Sequence, residues 1–393
     1  MSNRYINRLS LFLLFFLLSA TIAPATAPAQ GGSPAIYTIG CILPLTGRNA
    51  VYGNATLEAV MLAAGVFDPL SKSPFRLVIE DSKSETEAAR LAAQKLAAQT
   101  DVICILGPLG SAEAIEAAQE AQKAGVPILT FTQNEKITDI GNCVFRYFSS
   151  GRMQVRTLVK YAVRDMGIAR FAILYPDDDY GREMMKFFWE EVLSRGGQIK
   201  TTMSYDKIQT DFEEEIIALK TPKPALPGNN QAPSGFAPDF DALFIPDSYL
   251  RVNMIVPQLA FHDVTGVHLL GTGAWDSPDL LKENSAYLEG AIFTDDFYLD
   301  SFYPEVSDFI DAFYAAYRRE PGGLEALVYD AARIAVKVIA EKRIETREQF
   351  RNSLLEIKSF PGVTGKTSIS VDRDVEKDAF LLMVRNGQIM QIK

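Results

Sequence analysis

A chain of 393 residues, 48% hydrophobic and 22% charged, is long enough for two buried cores and too mixed in composition for a low-complexity polymer. Its net charge of −10, with no Lys/Arg cluster, argues against nucleic acid as a partner. Two histidines, His262 and His268, leave little material for a histidine-based metal or catalytic centre.

At the N-terminus, Arg4 and Arg8 precede an apolar run from Leu9 to Ala20 and then small residues. Ala27-Pro28-Ala29 supplies an A-x-A cleavage pattern before Gln30. The run is short for a bilayer span, so residues 1–29 are expected to be a cleaved signal peptide, leaving an exported, soluble, periplasmic chain. An uncleaved anchor is the alternative. Thr38-Ile39-Gly40-Cys41 lies too far past the apolar run to be a lipid attachment site. Cys41, Cys104 and Cys143 all sit in apolar, strand-like contexts. Their odd count favours buried free thiols over a disulfide framework, with a Cys41–Cys104 bridge as the alternative.

From Ile36 onward, short apolar runs alternate with helix-period segments. Strands are expected at Tyr37–Leu43, Phe75–Glu80, Val102–Leu106, Val126–Phe131 and Val144–Arg146, with helices at Ala55–Ala64, Glu85–Gln99 and Ala112–Ala124. The rhythm repeats in strands Arg170–Tyr175, Gln198–Tyr205, Phe240–Ile245 and Val267–Gly271 and helices Glu183–Leu193 and Phe212–Leu219. Two α/β units, each a parallel sheet covered on both faces, follow from this alternation. Between the last helix and the next strand, Thr221 to Asp239 is rich in Pro, Gly and Asn, where about 2–6 residues would suffice. It is expected to be a surface insertion, either passive or in contact with a partner. Helices follow at Glu305–Arg318, Leu324–Lys342 and Arg347–Lys358, the first with a Phe309/Phe313/Tyr317 stripe that reads as core. Lys366–Lys393 reads as strands, with a hairpin turn at Asn386-Gly387.

Several motifs resemble chemistry without supporting it. Gly362-Val363-Thr364-Gly365-Lys366-Thr367 lacks the glycine a phosphate loop needs, because Phe360 stands there. Gly271-Thr272-Gly273 lacks a third glycine, with Asp276 in its place. Asp372 to Asp378 spaces its acids like a calcium loop but carries Lys377 where the glycine belongs. Asp177-Asp178-Asp179 reads as a helix N-cap rather than a metal site. No Ser/His/Asp or Cys/His arrangement has local support, so no catalytic residue, metal or cofactor is expected.

The informative corner is Gly107-Pro108-Leu109-Gly110-Ser111-Ala112-Glu113-Ala114, where a strand hands over to a helix. A serine here is either a plain N-cap or a ligand for a small anion, beside unpaired N–H groups and the positive end of the helix dipole. Position favours the second reading, since open α/β sheets bind ligands beyond the carboxyl ends of their strands. The same logic selects Thr132, Gln133 and Asn134 in the first unit. In the second unit it selects Tyr180, Asp247, Ser248, Trp275 and Asp276. Two such edges turned toward one another would enclose a small polar ligand.

Six stretches in order carry a resemblance: Ile39–Gly53, Ile105–Ala114, Gly125–Thr132, Phe171–Gly181, Asp241–Ser248 and Ala326–Ala335. Together they resemble type I periplasmic binding proteins of the leucine/isoleucine/valine-binding group, from Tyr37 to the end. The resemblance implies an α/β fold of two Rossmann-like lobes joined by a three-strand hinge and closing on ligand. Lobe one would comprise 36–148 and 295–376, and lobe two 149–294, with the 221–239 insertion, and 377–393. It further implies that Ser111, with Ala112 beside it, and the Thr132–Asn134 loop hold a ligand carboxylate while Tyr180 lines the other wall. The group's usual acid for a ligand amine would fall at Gly273, which leaves Asp247 or Asp276 to substitute. Phe145–Phe148, Phe244–Asp247 and Gly271–Asp276 also resemble lipoprotein activators of penicillin-binding proteins, but the lipobox and the extra helical-repeat domain are missing. The expected function is capture of a small polar ligand, an amino acid or related amide, for an inner-membrane ABC permease. The alternative is an envelope regulator contacting a peptidoglycan synthase.

Overall fold

The protein, in a computed structural model, is described over residues 37–66, 73–220 and 238–393. The expected signal peptide and nearly all of the 221–239 insertion lie outside the described residues.

Strands β1 (Tyr37–Leu43), β2 (Phe75–Asp81), β3 (Val102–Leu106), β4 (Ile128–Thr130) and β5 (Val144–Arg146) alternate with helices α1 (Ala50–Ala63), α2 (Thr86–Ala97) and α3 (Ser111–Lys123). All five strands run parallel, in the order β2-β1-β3-β4-β5. Next come α4 (Gly151–Arg164), β6 (Arg170–Pro176), α5 (Asp179–Ser194), β7 (Gln198–Tyr205), α6 (Glu213–Lys220), β8 (Ala242–Phe244), α7 (Tyr249–Phe261), β9 (His268–Gly271) and β10 (Ile292–Asp295). Their strands pair as β7-β6-β8-β9-β10, so the second unit repeats the first unit's doubly wound order.

The remainder, α8 (Pro304–Tyr317), α9 (Gly323–Lys342), α10 (Arg347–Leu355), β11 (Phe360–Gly362), β12 (Gly365–Ile369), β13 (Val375–Lys377), β14 (Phe380–Arg385) and β15 (Gln388–Gln391), is shared between the sheets. Helix α9 supplies Val328, Ala331 and Ala335 to the core of the first sheet. Strand β14 pairs antiparallel with β10 and extends the second sheet, with β15 outside it. The turn between β14 and β15 places Asn386 (φ 52°) and Gly387 (φ 70°) in the left-handed conformation that the Asn-Gly signal demands. The Phe309/Phe313 stripe is buried as expected.

Period-2 alternation buries each sheet on both faces. Leu174, Leu243, Ile245 and Phe293 pack on one side of the second sheet, and Phe171, Ile173, Phe244 and Ile292 on the other. Helices α4 and α7 and strand β10 were not expected. Helix α7 carries Pro257 in its interior, and β10 is a short run ending in acids. Resemblance to a phosphate loop at 362–367 gives way to a β-hairpin between β11 and β12. Asp178 caps α5 by accepting a hydrogen bond from the Gly181 N–H at 2.8 Å. The three cysteines are buried free thiols, and burial pushes Cys41 up to about 12.

Between the sheets the chain passes three times: after Arg146, after Asp295 and after Lys377. A buried polar cluster sits at the third passage. Asp330 of α9 is fully buried and accepts hydrogen bonds from the N–H groups of Val363 (2.8 Å) and Thr364 (2.9 Å) and from the Thr364 hydroxyl (2.5 Å). The Lys377 ammonium lies 3.5 Å from the same carboxylate, touches the Thr364 hydroxyl and stands 4.6 Å from the centre of the Tyr147 ring. Burial drives the Lys377 pKa down, opposed by Asp330 and Asp296.

Candidate functional site

Beyond the carboxyl ends of the first sheet, two loops are tied together. Gly107, which follows β3, has φ 93°, and a side chain there would strike the Ile42 carbonyl at 2.3 Å, so the corner requires glycine. The Phe131 N–H donates to the Pro108 carbonyl at 3.0 Å, which joins the corner to the loop after β4. Ser111 is the first residue of α3, Gly110 is the cap, and the serine makes no capping bond. Its hydroxyl instead pairs with that of Thr132 at 2.9 Å. Thr132 is buried and also accepts from the Asn134 N–H at 3.2 Å. Ala112 and Gln133 are exposed beside this pair. Asn134 spends its side-chain oxygen capping the 3₁₀ turn Glu135–Ile140, through Lys136 N at 3.1 Å. Glu113 turns its buried carboxyl back toward Gly110 and accepts from the Ser82 hydroxyl at 3.1 Å, and burial raises its pKa.

The second sheet carries a matching pair. Tyr180, in the first turn of α5, bonds through its hydroxyl to Thr272 after β9, at 3.0 Å. Burial is the main reason its pKa is raised, with Asp247, Asp178 and Asp296 adding to it. Asp247 and Ser248 lie at the start of α7, where the Asp247 carboxylate accepts from the Tyr205 hydroxyl (2.6 Å) and the Ser248 N–H (2.6 Å).

Trp275 requires a correction. It follows a strand end as expected, but its ring is fully buried among Phe293 and the α7 side chains, and its indole N–H donates to the Ile245 carbonyl at 3.1 Å. Gly271 makes this possible, since a Cβ there would lie 2.3 Å from the indole. Trp275 therefore presents no polar atom to a ligand and supports the wall from behind.

Asp276 is exposed and shares a hydrogen bond with Asp295 at the end of β10. Burial, then the bond to Asp276 and that residue's charge, push the Asp295 carboxyl up to about 9. A Cβ built at Gly273 would lie 3.3 Å from the Asp295 Oδ1. The space an acid at 273 would occupy thus already faces a carboxyl from the next strand. The neighbouring Asp296 accepts from the Ser149 hydroxyl (2.6 Å) and the Gln154 amide (2.8 Å), and Gln154 in turn accepts from the Gly273 N–H (3.2 Å). Sequence reading missed Thr272, Asp295, Asp296 and Gln154. The acids do follow an apolar run, Ala291-Ile292-Phe293, the same cue that selects Ser111.

Two sheets of one strand order, crossed three times by the chain and each bearing hydroxyl pairs beyond its strand ends, define a bilobal binding protein. The chain belongs to the periplasmic binding protein family, which it matches over residues 36–388. Its fold is that of a protein described as a branched-chain amino acid ABC transporter from Rhodospirillum rubrum, with TM-score 0.80 and 23% identity over 91% of this chain and 100% of the other. A branched-chain amino acid transporter substrate-binding protein from Streptococcus pneumoniae, solved with isoleucine, aligns with TM-score 0.57 and 23% identity over 90% and 97% of the two chains. Glutamate receptor 2.1 of Arabidopsis thaliana is 26% identical over 222 residues, which is 55% of this chain and 24% of that receptor. The chain thus spans about a quarter of the length of that curated relative. Among the described residues, no helix is long and apolar enough to cross a membrane.

Proposed function

We propose that the protein captures an amino acid or related amide between its lobes in the periplasm and presents it to an inner-membrane ABC permease. The observation that carries this reading is the Ser111–Thr132 hydroxyl pair at a helix start, a ready acceptor site for a carboxylate. In this reading the two lobes, 36–148 with 295–376 and 149–294 with 377–393, close about the three chain passages. Tyr180 lines the second wall, and Asp295 with Asp276 receives the ligand's ammonium in place of the acid absent at Gly273. The relatives named above are described as transport or receptor proteins, which favours a permease over a peptidoglycan synthase as partner. A thermal-shift screen of residues 30–393 against amino acids, amides, small organic acids and peptidoglycan fragments tests the reading. A ligand at 100 times its Kd adds about 2.7 kcal/mol. No shift across the amino acids and amides would overturn the proposal.

Asp295 gives a further expected result. A carboxyl whose folded pKa is raised contributes stability that is full below its ordinary value, about 3.9, and is lost as pH rises through the folded value. The Tm of the ligand-free protein should therefore fall as pH is raised toward 9, and fall less steeply in Asp295→Asn, whose amide still donates to Asp276. Parallel Tm profiles for the two proteins would show that the Asp295 carboxyl is not raised in the folded protein.

A further inference from the structure

The three chain passages meet at one carboxylate. Asp296 opens the second passage, and its two oxygens are taken by donors from different elements. The Ser149 hydroxyl of the first passage donates to Oδ1 at 2.6 Å, and the Gln154 amide of α4 donates to Oδ2 at 2.8 Å. Burial raises the Asp296 pKa, opposed by these two bonds and by the charge of Lys377 at the third passage. Lys377 is held in turn by Asp330 of α9, the helix that packs on the first sheet.

Gln154 carries this junction to the ligand wall. A main-chain N–H can only donate and a carboxylate can only accept, so the amide has one workable orientation, Oε1 toward Gly273 (3.2 Å) and Nε2 toward Asp296. Gly273 opens the 3₁₀ turn Gly273–Trp275, whose first N–H has no partner within the turn and takes Gln154 instead. On one side of that turn Thr272 bonds to Tyr180, and on the other Asp276 meets Asp295. Both polar atoms of Gln154 are thus spent on protein groups, which suits it to position the wall rather than to bind.

We propose that Gln154 is a positioning residue that couples the ligand wall to the hinge. Resting on the capture reading, in which the Gly273 turn faces the ligand, a shift of that turn passes through the Gln154 amide to the Asp296 carboxylate. From there it reaches the first passage through Ser149 and the third through Lys377. Contiguous hydrogen bonds and packed side chains of this kind are the physical carriers of coupling between sites.

The test uses ligand-free residues 30–393 and hydrogen exchange read by mass spectrometry, in peptides covering 147–150 and 272–276. The Ser149 hydroxyl bonds to Asp296 and not to the Gly273 turn. Ser149→Ala should nevertheless speed exchange across 272–276 about fivefold, the effect of one modest hydrogen bond, because Asp296 and Gln154 relay the slack. Gln154→Met keeps the side-chain length and removes both bonds, and should speed exchange in both peptides. In Gln154→Glu the carboxyl donates to Asp296 only when protonated, and the neighbouring acid raises its folded pKa above the ordinary value of about 4.3. That contribution to stability is full at acid pH and lost as pH rises, so the Tm of Gln154→Glu should match the parent near about pH 5 and fall below it toward about pH 8. Asp295, Lys377, Tyr180 and Arg156, the charged and titratable groups around this junction, are common to both proteins and cancel in the difference. Parent-like exchange across 272–276 in Ser149→Ala, or a Gln154→Glu Tm difference indifferent to pH, would overturn the proposal. Neither readout needs a ligand, so a failed relay leaves the capture reading standing, and a ligand screen without hits removes capture while leaving the relay.

Discussion

Asp330→Ala is expected to destabilise the protein more than any other single substitution considered for this fold. The carboxylate is fully buried and serves three hydrogen-bond donors as well as the Lys377 ammonium. Its removal strands the Val363 and Thr364 N–H groups and leaves Lys377 buried without its counter-charge. Breaking a buried ion pair from one side costs about 3–5 kcal/mol. At roughly 2–4 °C per kcal/mol for domains somewhat smaller than this one, Tm should fall on the order of 10 °C in a calorimetric scan. Lys377→Met should cost less, because Asp330 keeps its three donors. The Asp330→Ala/Lys377→Met double variant should recover part of the loss, and strictly additive costs in that cycle would show that the pair is not coupled.

The second large effect concerns affinity rather than stability. Ser111→Ala combined with Thr132→Val removes both hydroxyls proposed to hold the ligand carboxylate. A hydrogen bond to a charged group contributes about 1.5–3 kcal/mol, so calorimetric titration with the ligand found by screening should show a loss of roughly a hundredfold or more. Ser111 caps no helix, so the ligand-free Tm should drop only by what Thr132→Val costs when the Asn134 N–H loses its acceptor, about 1 kcal/mol. A double variant that binds as tightly as the parent would remove the first lobe's hydroxyl pair from the site.

Much of this arrangement was legible along the chain. Apolar runs such as Val102–Leu106 and Phe171–Leu174 mark their strands because burial on both faces leaves no room for polar residues. Strand ends then located Ser111, Thr132 and Tyr180, each of which forms part of a hydroxyl pair. What failed was side-chain direction. Trp275 looked like a cleft residue because nothing in one dimension shows that its ring folds over Gly271. Asp295 was missed for a different reason: it meets Asp276 and Gly273 only because β10 lies next to β9, a fact of sheet order rather than spacing. The role of Ser111 as first helical residue rather than cap turns on a single residue of register, finer than propensity can resolve.

The distribution of the C-terminal third has a consequence for how the chain folds. Strands β1–β5 are complete by Arg146, yet one face of that sheet is covered by α9, about two hundred residues downstream. The second sheet receives β14 only after Phe380. The first sheet cannot cover its second face, nor the second sheet pair its β10 edge, until nearly the whole polypeptide has emerged from the ribosome, so early segments are expected to stay open and exchangeable during synthesis. A polypeptide built this way delays its own collapse, which is the condition a chain must meet to be threaded through a translocation pore before it folds.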